Sequence, residues 1–229
     1  MITFEQVKRD PQIQALIHES GQVLEAMNYT EHGLRHATYV SRTAAMILEK
    51  LGYDEHMCEL ARIAGYVHDV GNAINRSNHG VISATLLYGI LKDMGMPYAD
   101  ICTICSAVGN HEEEIGHVVN AVSAALVLAD KSDAHRTRVQ RLQLDREDIH
   151  DVVNYSIGKN IVLVDPERKI ISTKFYMDST SSVMDFLSIF LSRMVMSERA
   201  ARYLDCTFKL YINDSVINTA QIVSDAHVK

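Results

Sequence analysis

The sequence predicts a mainly α-helical protein: a helical bundle over residues 1–144, then a small α+β unit of ββαβ order over residues 145–229. Three observations lead there. Apolar positions recur at three- and four-residue spacing from Thr30 to about Arg138. Only three prolines occur in 229 residues, so long helices run uninterrupted. After about Leu144 the pattern turns to β-branched runs separated by turn residues.

The first periodic segment covers about Glu31 to Leu51 and stops at Gly52. A second starts behind Asp54, an N-cap residue type, and runs through LARIAGYVHD to Gly71. Ser77 or Asn78 caps a third, GVISATLLYGILKDMG, and Pro97 opens a fourth through CTICSAVGNHEEE. The fifth, VVNAVSAALVLADK, is apolar almost all round, which suits a helix central to its bundle. Downstream, NIVLVD and KIISTKFYMD flank the turn Asp165-Pro166-Glu167-Arg168 and read as a hairpin. The amphipathic SSVMDFLSIFLSRMVMSERAARYL follows a Ser-rich cap, and CTFKLYINDSVIN reads as a further strand. Met177, Met184, Met194 and Met196 form a stripe suited to packing. Neither repeats nor a low-complexity linker separate the two units, which are expected to pack directly on each other.

Composition narrows the function. Apolar residues make up 47% and charged residues 22%, an ordinary globular balance that argues against disorder. The formal charge of -7 offers no basic stripe for duplex nucleic acid, so extended nucleic acid is not an expected partner. A small phosphorylated ligand stays compatible, because a bound cation reverses the field inside one cleft. No apolar run is long enough to span a membrane, and MITFEQVKRDPQ lacks the basic start and apolar core of a signal peptide; a cytoplasmic protein without a membrane partner is expected. Cys58, Cys102, Cys105 and Cys206 show no framework spacing, and Cys102-x-x-Cys105 has no second pair to complete a zinc site.

The chemistry-bearing residues sit at helix ends. His68 and Asp69 close an apolar helix just before Gly71, where a carboxylate faces the negative end of the helix dipole and loses hydration behind IAGYV. A divalent cation offsets both costs, although for the dipeptide taken alone a hydrogen-bonded polar helix end is the leading account. Asp130 ends the apolar run AVSAALVLA, again at a position costly without a cation or base beside it. His36 shares its helix face with Tyr39, Val40 and Thr43, where a lone histidine is ordinarily a core residue; His32, one turn earlier, is its rival. Two imidazoles and two carboxylates from three helices form a ligand set suited to Fe, Mn or Zn and, less well, Mg.

At this point the sequence resembles the HD superfamily of metal-dependent phosphohydrolases, whose pattern is His, then His-Asp, then a distant Asp. It stands here as His36 in EHGLRHATYV, His68-Asp69 in GYVHDVGN and Asp130 in LVLADKSD. The resemblance covers about Thr30 to Arg138 and implies an HD-domain bundle. It further implies that His79, in RSNHGVIS, and His111, in AVGNHEEE, occupy the additional ligand places of binuclear members. Asp69 would then bridge two ions, with His36, His68 and Asp130 on one and His79 and His111 on the other. Glu112, Glu113 and Glu114 read as a solvated helix end from which one acid could orient a ligand. Lys131, Arg136 and Arg138 are placed to meet phosphate oxygens, Lys131 foremost. Asn72 departs from the pattern, because many HD proteins carry Lys there.

The reading is therefore a phosphohydrolase that cleaves a phosphate ester or anhydride of a nucleotide or other small metabolite by metal-activated water. Asp69 and Lys131 are its catalytic residues, and two divalent ions, Fe or Mn before Zn or Mg, are its cofactors. A di-iron oxygenase on the same ligands and a non-catalytic ligand-binding module are the alternatives. The C-terminal unit carries no catalytic constellation and has three open roles: the contact of a homodimer, cover for the cleft, or sensing of a ligand.

Overall fold

A computed structural model of the chain describes residues 2–140 and 144–218. Residues 141–143, beside the expected junction of the two units, and 219–229, the end of the second, lie outside the described residues. The helices in chain order are α1 (Phe4–Arg9), α2 (Pro11–Ala26), α3 (Leu34–Lys50), α4 (Glu55–Val67), α5 (His79–Asp93), α6 (Tyr98–Gly109), α7 (Ala121–Asp130), α8 (Ile149–Ser156) and α9 (Val183–Tyr203). The strands are β1 (Ile157–Asp165), β2 (Ile170–Met177), β3 (Thr207–Ile212) and the short β4 (Ser215–Val216).

Six of the helices, α3 to α7 and α9, are those the periodicity predicts, trimmed at their ends. Asp54 caps α4 through the Met57 N–H, and Pro97 stands before α6. Asn78 occupies the cap position of α5 in a left-handed conformation without a side-chain cap bond, so it marks a turn and donates no cap. Helices α1, α2 and α8 lie outside the predicted elements. Their signals are local: Thr3 and Gln6 form a capping box, Asp10 caps α2 with Pro11 at its first position, and Asp148 caps α8.

Helix α7 is the centre of the bundle. Val122 through Ala129 are all buried, and α7 packs against α3, α4, α6 and α9. Its valine and leucine side chains contribute about 1.5–3 kcal/mol each when fully buried, and they hold Asp130 at the inner end of the helix. Helices α3 and α4 approach closely because α4 carries Gly65: a Cβ there would lie 2.8 Å from the Cα of Ser41. That approach brings His36 and His68 together.

In the C-terminal unit β1 and β2 pair antiparallel across the predicted turn, and α9 carries the chain to β3, which pairs parallel with β2. The sheet order is β1-β2-β3-β4. Helix α9 buries Phe186, Phe190 and Met194, whereas Met184 is exposed and leaves the expected methionine stripe incomplete. Asn160 of β1 donates to the Ser132 carbonyl at 2.7 Å and to the Tyr39 hydroxyl at 3.1 Å, tying the sheet to the end of α7.

Candidate metal centre

The six predicted ligand positions come from five elements and meet in one place. His36 lies on α3, His68 and Asp69 in the turn after α4, His79 at the first position of α5, His111 just beyond α6, and Asp130 at the end of α7. Four imidazole rings follow one another, His36 to His68 at 5.1 Å between centroids, His68 to His111 at 4.9 Å and His111 to His79 at 4.9 Å. Asp69 lies against all four, and its two oxygens face different partners. Oδ2 is 3.5 Å from His36 Nε2 and 3.4 Å from His68 Nε2. Oδ1 is 3.1 Å from His79 Nε2 and 3.6 Å from His111 Nε2. Asp130 Oδ1 joins the first set, 3.4 Å from His36 Nε2 and 3.7 Å from His68 Nε2.

Each ring is turned by a partner on its other nitrogen. His36 Nδ1 donates to Asp133 Oδ2 at 2.6 Å, His68 Nδ1 to the Gly65 carbonyl at 3.0 Å and His111 Nδ1 to the Val108 carbonyl at 2.6 Å. His79 Nδ1 faces the Arg76 carbonyl and Glu112 Oε2, both at 3.1 Å. All these partners accept, so the proton belongs on Nδ1 and the lone pair on Nε2. The lone pairs then face each other in two couples, His36 with His68 at 3.2 Å and His79 with His111 at 3.1 Å. Such pairs repel unless a cation lies beside them.

A metal fits this donor set on two further observations. Asp69 Oδ2 is buried without a hydrogen-bond partner, a cost that coordination removes. Two groups, His36 with His68 and Asp130, and His68 with Asp69 and His111, bring their ligand atoms within 4.8 Å of one another. Burial works against ionised Asp69, but its setting among the His68, His111 and His79 imidazoles outweighs it and holds the carboxyl well below the usual range. Burial also opposes ionised Asp130, and there the Lys131 ammonium, with His36 and His68, prevails. The His111 imidazole is pushed down by burial, which keeps it neutral as a ligand must be.

The basic residues separate. Lys131 is buried, with Nζ 2.7 Å from Asp130 Oδ2 and 3.1 Å from Glu113 Oε1. Arg138 is also buried and supports Asp133 by donating to its carbonyl at 2.7 Å. Arg136 pairs with Asp178 at 3.0 Å, away from the cluster. His32 borders the cluster with Nδ1 against the Thr30 carbonyl and does not displace His36. Glu112 corrects the expectation of a solvated acidic end: it is buried, accepts from the Gly80 N–H at 2.8 Å and braces His79. Asn72 is buried and donates to the Asp69 carbonyl at 3.0 Å.

Four contributors escape the sequence pattern. Asp133 stands only three residues beyond Asp130, and its acid type was the available signal. Ser20 of α2 donates to the Asp69 and Val70 carbonyls at 3.1 and 3.2 Å, bracing the His-Asp turn from a helix the periodicity does not assign. Arg76 and Arg193 line the cavity over the cluster, the second from α9. Nothing local announces either arginine.

Residues 33–149 match the model of a family described as the HD domain. Ribonuclease Y of Oceanobacillus iheyensis is 28% identical over 112 residues, 48% of this chain and 20% of that protein. Ribonuclease Y of Latilactobacillus sakei is 29% identical over 119 residues, 52% of this chain and 20% of that one. The chain thus spans about a fifth of the length of these curated relatives. The crystal structure of a predicted HD superfamily hydrolase from an uncultured Thermotogales bacterium aligns with a TM-score of 0.43 and 20% identity over 59% of this chain and 75% of that one.

Proposed function

Since this chain belongs to the HD domain family, we propose that it is a metal-dependent phosphohydrolase acting on a small phosphate ester or anhydride. The observation that carries the reading is the division of Asp69: its two carboxylate oxygens face separate histidine couples. His36, His68 and Asp130 would hold one divalent ion with Asp69, and His79 and His111 a second. The mixed nitrogen and oxygen donors favour Fe or Mn, with Zn and Mg as further candidates. Bound there, such ions acidify water and neutralise phosphate charge.

The protein's own residues do the rest. Asp133, Gly65, Val108 and Glu112 hold the four imidazoles in the tautomer that presents Nε2 to the cluster. Asp69, ionised and buried, is the group placed to accept a proton from water in the cavity. Lys131, held between Asp130 and Glu113, keeps Asp130 ionised and in place beside the cluster. The net charge of -7 disfavours an extended polyanion and leaves a small substrate as the fitting class.

The test is phosphate release from a panel of nucleotides, sugar phosphates and simple phosphomonoesters by manganese- and iron-loaded protein. Wild type should hydrolyse at least one compound and Asp69→Ala none. Equal turnover by both would sink the proposal, and oxygen uptake in place of phosphate release would indicate an oxidase on the same ligands.

A further inference from the structure

The cavity over the metal-ligand cluster does not stand alone. A chamber of about 330 Å³ adjoins it, lined by Met27, Tyr29, Thr30 and His150 on one part and by Asp148 and Asp151 on another, and the two cavities share His32, Arg76 and Arg193. That volume lies at the small end of ligand pockets. The shared residues therefore form a throat between a site suited to phosphorus chemistry and a chamber of small-metabolite size.

Arg76 at this throat is a half-buried cation whose direct contacts are neutral side chains. It donates to Asn72 Oδ1 at 3.3 Å, its Nη1 lies 3.4 Å from both ring nitrogens of His79, and its guanidinium stands 5.5 Å from the Tyr29 ring centre. Among the described residues no carboxylate forms an ion pair with it. A partly desolvated guanidinium in that setting calls for an anion. Arg193 reaches the same throat from α9. It reaches Glu113 Oε1 through Nε at 3.0 Å, its guanidinium lies 4.7 Å from the Phe190 ring centre, and the side chain lines both cavities. Glu113 is shared with Lys131, itself paired to Asp130, so Lys131 is neutralised on both sides and Arg193 ends the charge chain.

We propose that Arg76 and Arg193 clamp the phosphate of the substrate from two sides, with its organic part in the Met27–Tyr29 chamber, so that the C-terminal unit completes the active site. This rests on the hydrolase reading above and adds the place and size limit of the substrate. Planar guanidinium groups suit the task because each can give two parallel hydrogen bonds to a phosphate. The chamber has room for an organic group up to about nucleoside size.

Calorimetric titration of the manganese-loaded 229-residue chain tests this, with inorganic phosphate, ribose 5-phosphate and adenosine 5′-monophosphate as probes. Wild type should bind an ester more tightly than phosphate. Arg193→Ala and Arg76→Ala should each weaken phosphate binding about tenfold or more, at unchanged manganese content and melting temperature, and Arg193→Lys should recover only part. Met27→Trp, which fills the chamber, should weaken the esters and spare phosphate. Unchanged phosphate affinity in both arginine-to-alanine variants overturns the clamp and leaves the hydrolase reading intact. Metal-loaded wild type that binds neither phosphate nor ester overturns both.

Discussion

The His36 imidazole gives its Nδ1 proton to the Asp133 carboxylate at 2.6 Å, and Asp133 is in turn gripped by Arg35, whose Nη2 donates at 2.7 Å. This anchor lies three residues past Asp130, so one stretch of chain provides both a candidate ligand and the group that orients another. Replacing Asp133 by Asn keeps the shape and weakens the acceptor. Metal affinity, measured by competition with a chelator, should fall about 10–100-fold. Unaltered affinity would mean that His36 needs no such support.

Gly71 joins the two halves of the cluster. Its N–H donates to Ser83 Oγ at 2.7 Å, and a Cβ added there would lie 2.2 Å from the His79 carbonyl oxygen and 2.6 Å from the Ser83 nitrogen. Both close neighbours are backbone atoms, so α5 would have to shift. Gly71→Ala should cost about 3 kcal/mol, read as a lowered urea midpoint, with the His79 side of the cluster losing metal first. A wild-type midpoint would show that α5 is not seated on this turn.

Tyr39 ties α3 to the end of α7 and to β1, its hydroxyl 2.9 Å from Ser132 Oγ and 3.1 Å from the Asn160 amide. Burial pushes its pKa from 10.0 up to about 12. The folded state therefore holds the proton more tightly than the unfolded state. That contribution is fully present below pH 10 and is lost as pH rises through about 12. Stability followed by denaturant titration should fall over this window in wild type and less in Tyr39→Phe. Equal alkaline profiles would contradict the assignment.

Much of the centre is legible in the sequence because its residues sit where burial is costly. Asp69 and Asp130 end apolar helices and His36 lies on an inward face, whereas His79 and His111 are marked only by the resemblance to the HD pattern. The periodicity of residues 30–138 and the β-branched runs after 144 likewise announce the bundle and the sheet. What escapes depends on tertiary approach. Ser20 braces the His-Asp turn from α2, 49 residues away in sequence from Asp69. Arg193 reaches the cavity because α9 packs on α7, an association that helical periodicity alone leaves unspecified. Glu112 looks like one of three solvated acids until the Gly80 N–H and the His79 ring close on it.

The most direct test of the two-faced Asp69 is the metal content per chain. Protein loaded with manganese or iron, desalted and measured by mass spectrometry of the elements, should carry two ions. The His79→Ala/His111→Ala double variant should keep one and Asp69→Ala neither. One ion per wild-type chain, unchanged in the double variant, would contradict the account.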